Sequence, residues 1–174
     1  METILGIDPG SRITGYGVIQ SDGQRYRYVA SGCISIQAIT VTERLQQIYS
    51  SIHKLIEFYK PHQAAIEQVF LHRNASSALK LGQARGAAIV AIASRNIRLA
   101  EYAPREIKQA IVGYGGAEKI QIQQMIKRLL HLNELPQADA ADALAIALCH
   151  ANSSKVLAAR AQLSEQIEHK IVLE

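Results

Sequence analysis

Four carboxylates stand where their neighbours are apolar. In the N-terminal stretch ILGIDPGSRITGYGVI, Asp8 ends a β-branched run just before Pro9-Gly10. Glu67 lies inside Ala64-Ala65-Ile66-Glu67-Gln68-Val69-Phe70, a run that otherwise reads as a buried strand. Asp139 and Asp142 punctuate Ala138-Asp139-Ala140-Ala141-Asp142-Ala143-Leu144, where every other residue is small or apolar. A charged carboxylate in such company is costly unless it is paired or bound to a cation. Each has an ordinary explanation: an Asp closing its own Asp-Pro-Gly turn, an edge-strand Glu in a salt bridge, an Asp capping a helix. The Asp139/Asp142 pair fits that explanation least well, because like charges three residues apart on a helix share a face and repel. Together the four amount to hard oxygen ligands suited to Mg²⁺ or Mn²⁺. Two such ions held by clustered carboxylates clamp the attacking and leaving oxygens of an in-line phosphoryl displacement.

The elements that must carry these groups follow from periodicity and punctuation. Residues 3–8 and 14–20 alternate as two strands joined through the Asp8-Pro9-Gly10-Ser11 turn, and a third strand is expected over 25–36. Thr40-Val41-Thr42-Glu43 is a capping box ahead of a helical stripe (Leu45, Ile48, Tyr49, Ile52, Leu55, Ile56, Tyr59) that Pro61 terminates. A strand over 64–70 then takes a crossover position parallel to an earlier one. Within strand 64–70, Ala65, Glu67 and Val69 share a face, so Glu67 points where apolar residues point. The Ala- and Gly-rich segment 76–94 reads as a helix whose Gly82 and Gly86 permit a tight contact within the chain or between subunits. Strand 98–103, helix 104–112 opening on Pro104 and closing at Gly113, helix 118–131 and helix 138 to about 151 complete the order. The tail 153–174 reads as a polar segment, helical or loosely ordered, beyond a domain spanning 1–152. The fold class is α/β: three antiparallel strands followed by βα units, giving a mixed five-stranded sheet with helices on both faces.

Composition narrows the setting. The 174 residues suit one domain, and 48% of them are hydrophobic, enough for a core. Nineteen Lys and Arg against fifteen Asp and Glu leave a net charge of +4, which favours a polyanionic partner. Cys33 and Cys149 are far apart and lack metal-ligand spacing, so both are expected as buried thiols in a reducing compartment. No run approaches the ~20 apolar residues that span a bilayer, and a cytoplasmic protein is expected.

With these motifs in hand, the sequence resembles the RuvC family of Holliday-junction resolvases. The resemblance rests on Asp8-Pro9-Gly10, Ile66-Glu67-Gln68-Val69-Phe70, Tyr102-Ala103-Pro104-Arg105-Glu106-Ile107-Lys108 with Gly113, Lys119 and Gln121, and Ala138 through Ala145. It covers about residues 3–152 in order and spacing. It implies a ribonuclease H-like fold and a homodimeric, Mg²⁺-dependent endonuclease that nicks two strands of like polarity in a four-way DNA junction. It further implies that Asp8, Glu67, Asp139 and Asp142 bind two metal ions, that Mn²⁺ also supports activity, and that Lys108 and Lys119 lie by the scissile phosphate. Phe70 would contact unstacked bases, and the branch-migration proteins RuvA and RuvB would be partners.

The residues themselves leave several points open. Phe70 is read from composition as core, although the polar segment after it makes stacking on a base feasible. Lys119 sits near a helix start, an unfavourable place for a cation unless it serves something else. Arg73, Lys80, Arg85 and Arg105 join Lys108 and Lys119 as candidate phosphate contacts, as do His72, Lys127 and Arg128, with about half of this set expected to be solvated surface. Rival readings are another ribonuclease H-like nuclease that processes RNA, an actin-like phosphotransferase lobe, and a non-catalytic DNA-binding module. The kinase reading lacks a second lobe. The non-catalytic reading leaves four carboxylates facing a polyanion with no cation between.

Overall fold

The computed structural model describes residues 1–69 and 74–153. The strands are β1 (Glu2–Asp8), β2 (Ile13–Ser21), β3 (Tyr26–Ser35), β4 (Gln63–Glu67) and β5 (Arg98–Tyr102). The helices are α1 (Val41–Tyr59), α2 (Ala75–Ala93), α3 (Pro104–Val112), α4 (Lys119–Leu129) and α5 (residues 138–153). The sheet runs β3-β2-β1-β4-β5, so β1 is central. β2 is antiparallel to both β1 and β3, whereas β4 is parallel to both β1 and β5. This is the expected mixed sheet, with the ribonuclease H-like order of elements.

Alternation along the central strands divides the core in two. Leu5, Ile7, Ala64 and Ile66 face one side with the apolar stripes of α1 and α2. Ile4 and Ala65 face the other, where α5 lies between the sheet and the pair α3/α4. That position explains why α5 is apolar nearly all round: Ala140, Ala141 and every residue from Ala143 to Ala151 are buried. Each fully buried Leu or Ile contributes about 1.5–3 kcal/mol.

α5 approaches the sheet more closely than side chains would allow. Gly6 and Gly17 are register partners, and Gly15 pairs with Asp8. A Cβ on Gly6 would fall 2.1 Å from Ala143 O, one on Gly15 2.0 Å from Asp139 O, and one on Gly17 2.7 Å from Leu144 N. The three glycines form a bare backbone seat on which the helix rests.

Local signals act largely as expected. Thr40 and Glu43 close the capping box of α1, Pro104 opens α3, and Gly113 ends it in the left-handed region at φ 86°. Three expectations are corrected. The strand expected over 64–70 stops at Glu67. The Gln68 N–H still reaches Tyr102 O at 2.8 Å, after which pairing ends, so Glu67 is at the strand's mouth rather than its middle. Among the described residues, Gly82 and Gly86 make no tight contact; a Cβ on either would meet none of their atoms within 4 Å. Cys33 is only half-buried, because β3 is an edge strand, whereas Cys149 is buried as expected. Phe70, His72, Arg73 and the tail from residue 154 lie outside the described residues.

Candidate metal centre

The acidic residues meet at one end of the sheet. β1 and β4 run parallel with Ile7 opposite Ile66, so Asp8 and Glu67 are the next residues on neighbouring strands. Both point to the α5 side. The glycine seat brings the start of α5 down onto β1 and β2, and with it Asp139 and Asp142. One carboxylate oxygen each from Asp8, Asp139 and Asp142 lies within 4.8 Å of the others. Glu67 borders this trio, close enough to be destabilised by the Asp142 charge.

The turn that delivers Asp8 is closed by another residue. Buried Thr14 donates its hydroxyl to Gly10 O at 3.1 Å, and the Thr14 hydroxyl oxygen accepts from Gly10 N–H at 3.4 Å. Gly10 has no room for a side chain, since its Cβ would sit 1.9 Å from Ile13 O. Asp8 is therefore free to face the cluster. Helix capping does not account for Asp142. The first intrahelical bond runs from Ala141 N–H to Gln137 O, which puts Asp142 past the first turn.

The electrostatics record a crowded negative site. The Asp8 carboxyl is pushed up to about 8, first by burial and then by the charges of Glu67, Asp142 and Asp139, while Lys119 pulls it down. Glu67 is also raised, by burial and by Asp142, against the pull of Lys108 and Lys119. Lys119 Nζ pairs with Asp142 Oδ2 at 2.8 Å, and this bond leads in raising the lysine further. Hard oxygen donors at this spacing, with a carboxyl that will not ionise normally without a counter-charge, fit a divalent cation.

Beside the carboxylates a cavity of about 170 Å³ opens between α3, α4 and α5. Ile107, Ile122 and Ile146 floor it, and Glu67, Asp142, Lys108 and Lys119 rim it. Lys108 is steadied there by donating Nζ to Ala117 O at 2.8 Å. Arg85 donates Nε to Glu67 O at 3.0 Å and pairs through its guanidinium with Glu101, so it braces the end of β4. Arg105 is exposed on α3 with its stem lying over Gly115. Lys80 is exposed on α2, away from any ion pair among the described residues. Sequence reasoning missed Thr14, the glycine seat and the brace from Arg85. Glycines at positions 15 and 17 of one strand, with Gly6 on its hairpin partner, were the available signal for the seat.

Comparison with known proteins bears on these features. Residues 4–150 match the family model described as crossover junction endodeoxyribonuclease RuvC. The RuvC of Idiomarina loihiensis is 56% identical over 162 residues, covering 90% of this chain and 91% of that one. The RuvC of Vibrio parahaemolyticus is 55% identical over 161 residues, covering 92% and 93%. Among solved structures, T. thermophilus RuvC in complex with Holliday junction substrate superposes with a TM-score of 0.84 at 31% identity, covering 90% of this chain and 96% of that one. The yeast mitochondrial Holliday junction resolvase Ydc2 shares the fold, with a TM-score of 0.64 at 14% identity over 93% and 85% of the two chains.

Proposed function

The chain belongs to the RuvC family of crossover junction endodeoxyribonucleases, and on that footing we propose that it resolves four-way DNA junctions by hydrolysing one phosphodiester in each of two strands of like polarity. The observation that carries this reading is the convergence of Asp8, Asp139 and Asp142 within 4.8 Å, from segments more than 130 residues apart in the chain. Asp8, Glu67, Asp139 and Asp142 are the residues that hold two Mg²⁺ ions, for which Mn²⁺ can substitute. When bound, such a pair activates a water at neutral pH and neutralises the departing oxygen.

The chain's own residues do the rest. Lys119 and Lys108, on the rim of the cavity, offset charge that builds on the non-bridging phosphate oxygens. Lys119 is held by Asp142 until substrate arrives, so its ammonium is already aimed at the site. Arg85 keeps the Glu67 backbone in place. Arg105 and Lys80 are assigned to the DNA backbone farther out, and Arg73 and Phe70 to the junction's phosphates and unstacked bases.

Paired incision requires two sites in one assembly, hence a homodimer. α2 supplies a suitable face: Leu79 and Val90 are exposed at 64% and 58%, in line with Gly82 and Gly86, which leave room for a second backbone. RuvA and RuvB are the proposed partners in branch migration, and the cytoplasm the proposed location. Among the described residues, no helix is long and apolar enough to cross a membrane.

The test offers a synthetic four-way junction, a plain duplex and an RNA–DNA hybrid to the wild type and to Asp8→Asn. The proposal expects Mg²⁺-dependent cutting of the junction alone, and a variant that binds it without cutting. Comparable cutting of the hybrid would overturn the substrate, and a fully active Asp8→Asn would overturn the site.

A further inference from the structure

The far end of α5 carries a polar chain that the chemistry above does not use. His150 is 8% exposed. Its Nδ1 lies 2.8 Å from the Tyr102 hydroxyl at the end of β5. Its Nε2 meets the side-chain carbonyl of Gln63, the first residue of β4. The Gln63 amide nitrogen in turn donates to Glu2 Oε2 at 2.6 Å, which turns its carbonyl toward His150. Burial holds His150 below the ordinary histidine range, so at neutral pH it is an uncharged ring. The partners then fix its tautomer: Nε2–H donates to Gln63, and Nδ1 accepts from Tyr102. Two residues on, Asn152 accepts from the Tyr26 hydroxyl of β3. The C-terminal half of α5 is thereby tied to β3, β4 and β5.

A tie is needed there because the seat beneath α5 is smooth. Where the helix crosses β1 and β2 it meets glycine backbone, and its own contacting residues include Ala143 and Ala147. At these glycines the contact is made against bare backbone, which allows close approach but fixes the axial register less firmly than side chains on both surfaces would. Sliding is what the site cannot tolerate. The charges of Asp139 and Asp142 act against an ionised Asp8, so they oppose the approach of the start of α5 to β1. His150 is eight residues beyond Asp142, about 12 Å along a helix rising 1.5 Å per residue. A rigid α5 transmits its anchoring over that distance.

We propose that His150, held by Tyr102 and Gln63, is a positioning residue for the metal centre: it fixes the axial register of α5 and so the spacing of Asp139 and Asp142 from Asp8. The inference rests on reading those carboxylates as metal ligands. Loss of the tie weakens cation binding without touching a ligand. Removing an outer-shell partner of a metal ligand typically costs 10–100-fold in affinity. For this more distant anchor a rise in the Mn²⁺ dissociation constant of about 3- to 10-fold is expected.

The experiment measures Mn²⁺ binding to the full chain by electron paramagnetic resonance, with amide hydrogen exchange of the metal-free protein alongside. The variants are Tyr102→Phe, which deletes one hydroxyl, and His150→Leu. In His150→Gln, an amide can both donate and accept. Tyr102→Phe and His150→Leu are expected to bind Mn²⁺ more weakly and to exchange faster at residues 140–143, while His150→Gln restores both. Unchanged Mn²⁺ affinity with only a lower melting temperature overturns the proposal, because a purely structural role predicts that result. Unchanged exchange at residues 140–143 overturns it as well. A wild type that binds no Mn²⁺ refutes the metal reading of the cluster instead, and exchange still decides whether the anchor exists.

Discussion

Asp8→Asn should stabilise the metal-free protein while abolishing its activity. Folding raises the Asp8 carboxyl from 3.8 to about 8, chiefly through burial and then through its acidic neighbours. An acid with a folded-state pKa above its unfolded value keeps its proton longer when folded. Stability is therefore greatest below the unfolded value and falls as pH rises through the window between 3.8 and about 8. Each tenfold change in proton affinity is worth about 1.4 kcal/mol. At neutral pH about three such factors act, a ceiling of about 4 kcal/mol. Relaxation and water entry soften such interactions, so about 1–3 kcal/mol is expected. Asn keeps the shape and removes the charge. For a domain of this size the gain appears as a melting temperature about 2–10 °C higher. The assay is thermal unfolding of both proteins in EDTA and in Mg²⁺, across mildly acidic to mildly alkaline pH. In EDTA the wild type should lose stability as pH rises and the variant should lose much less. Mg²⁺ should raise the wild type more than the variant. An Asp8→Asn that melts below the wild type in EDTA at neutral pH, or gains equally from Mg²⁺, would refute the reasoning.

Other substitutions probe the remaining parts. Gly15→Ala drives a methyl into Asp139 O, 2.0 Å from its position, and should cost several kcal/mol or displace α5; unchanged melting and cutting would show that the seat is not tight. Lys119→Ala should leave junction affinity nearly unchanged in metal-free buffer but slow single-turnover cutting by about 100-fold, within the range for a group that stabilises transition-state charge. Gly82→Ala and Gly86→Ala should each raise the stability of the isolated subunit by about 0.5–1 kcal/mol, since the added methyl meets nothing among the described residues and helix propensity improves. If α2 is the subunit interface, the same changes should lower the dimer fraction in sedimentation, and an unaltered dimer would move the interface elsewhere.

Much of this architecture is legible in the sequence because local rules act without competition. The Thr40/Glu43 box, Pro104 and Gly113 all do what their chemistry dictates, and the Asp8-Pro9-Gly10 turn forms where its residues place it, though Thr14 rather than Asp8 closes it. The carboxylates stand out because they interrupt apolar runs, and three of the four, Asp8, Asp139 and Asp142, meet in the fold. What the sequence hides is contact across the fold. The stripe of Gly82 and Gly86 draws attention by its helical spacing, yet the glycines that bring Asp139 and Asp142 to Asp8 are Gly6, Gly15 and Gly17. Their role needs the strand register and the path of α5, neither of which is local. The end of β4 at Glu67 depends on where β5 stops, at Tyr102. Arg85 reads in the sequence as one more cation suited to phosphate, and its bonds to Glu101 and the Glu67 carbonyl appear only in the fold. The chain from Tyr102 through His150 to Gln63 joins segments 87 residues apart, a link no spacing rule reveals.

The central claim is that carboxylates from both ends of the chain share divalent cations. Crystals soaked in Mn²⁺ and measured for anomalous scattering test it directly. The account predicts density for bound ions between Asp8 and the Asp139/Asp142 pair, with Glu67 at its edge. Saturating Mn²⁺ that leaves this cluster empty, or that binds only at other surfaces, would contradict it.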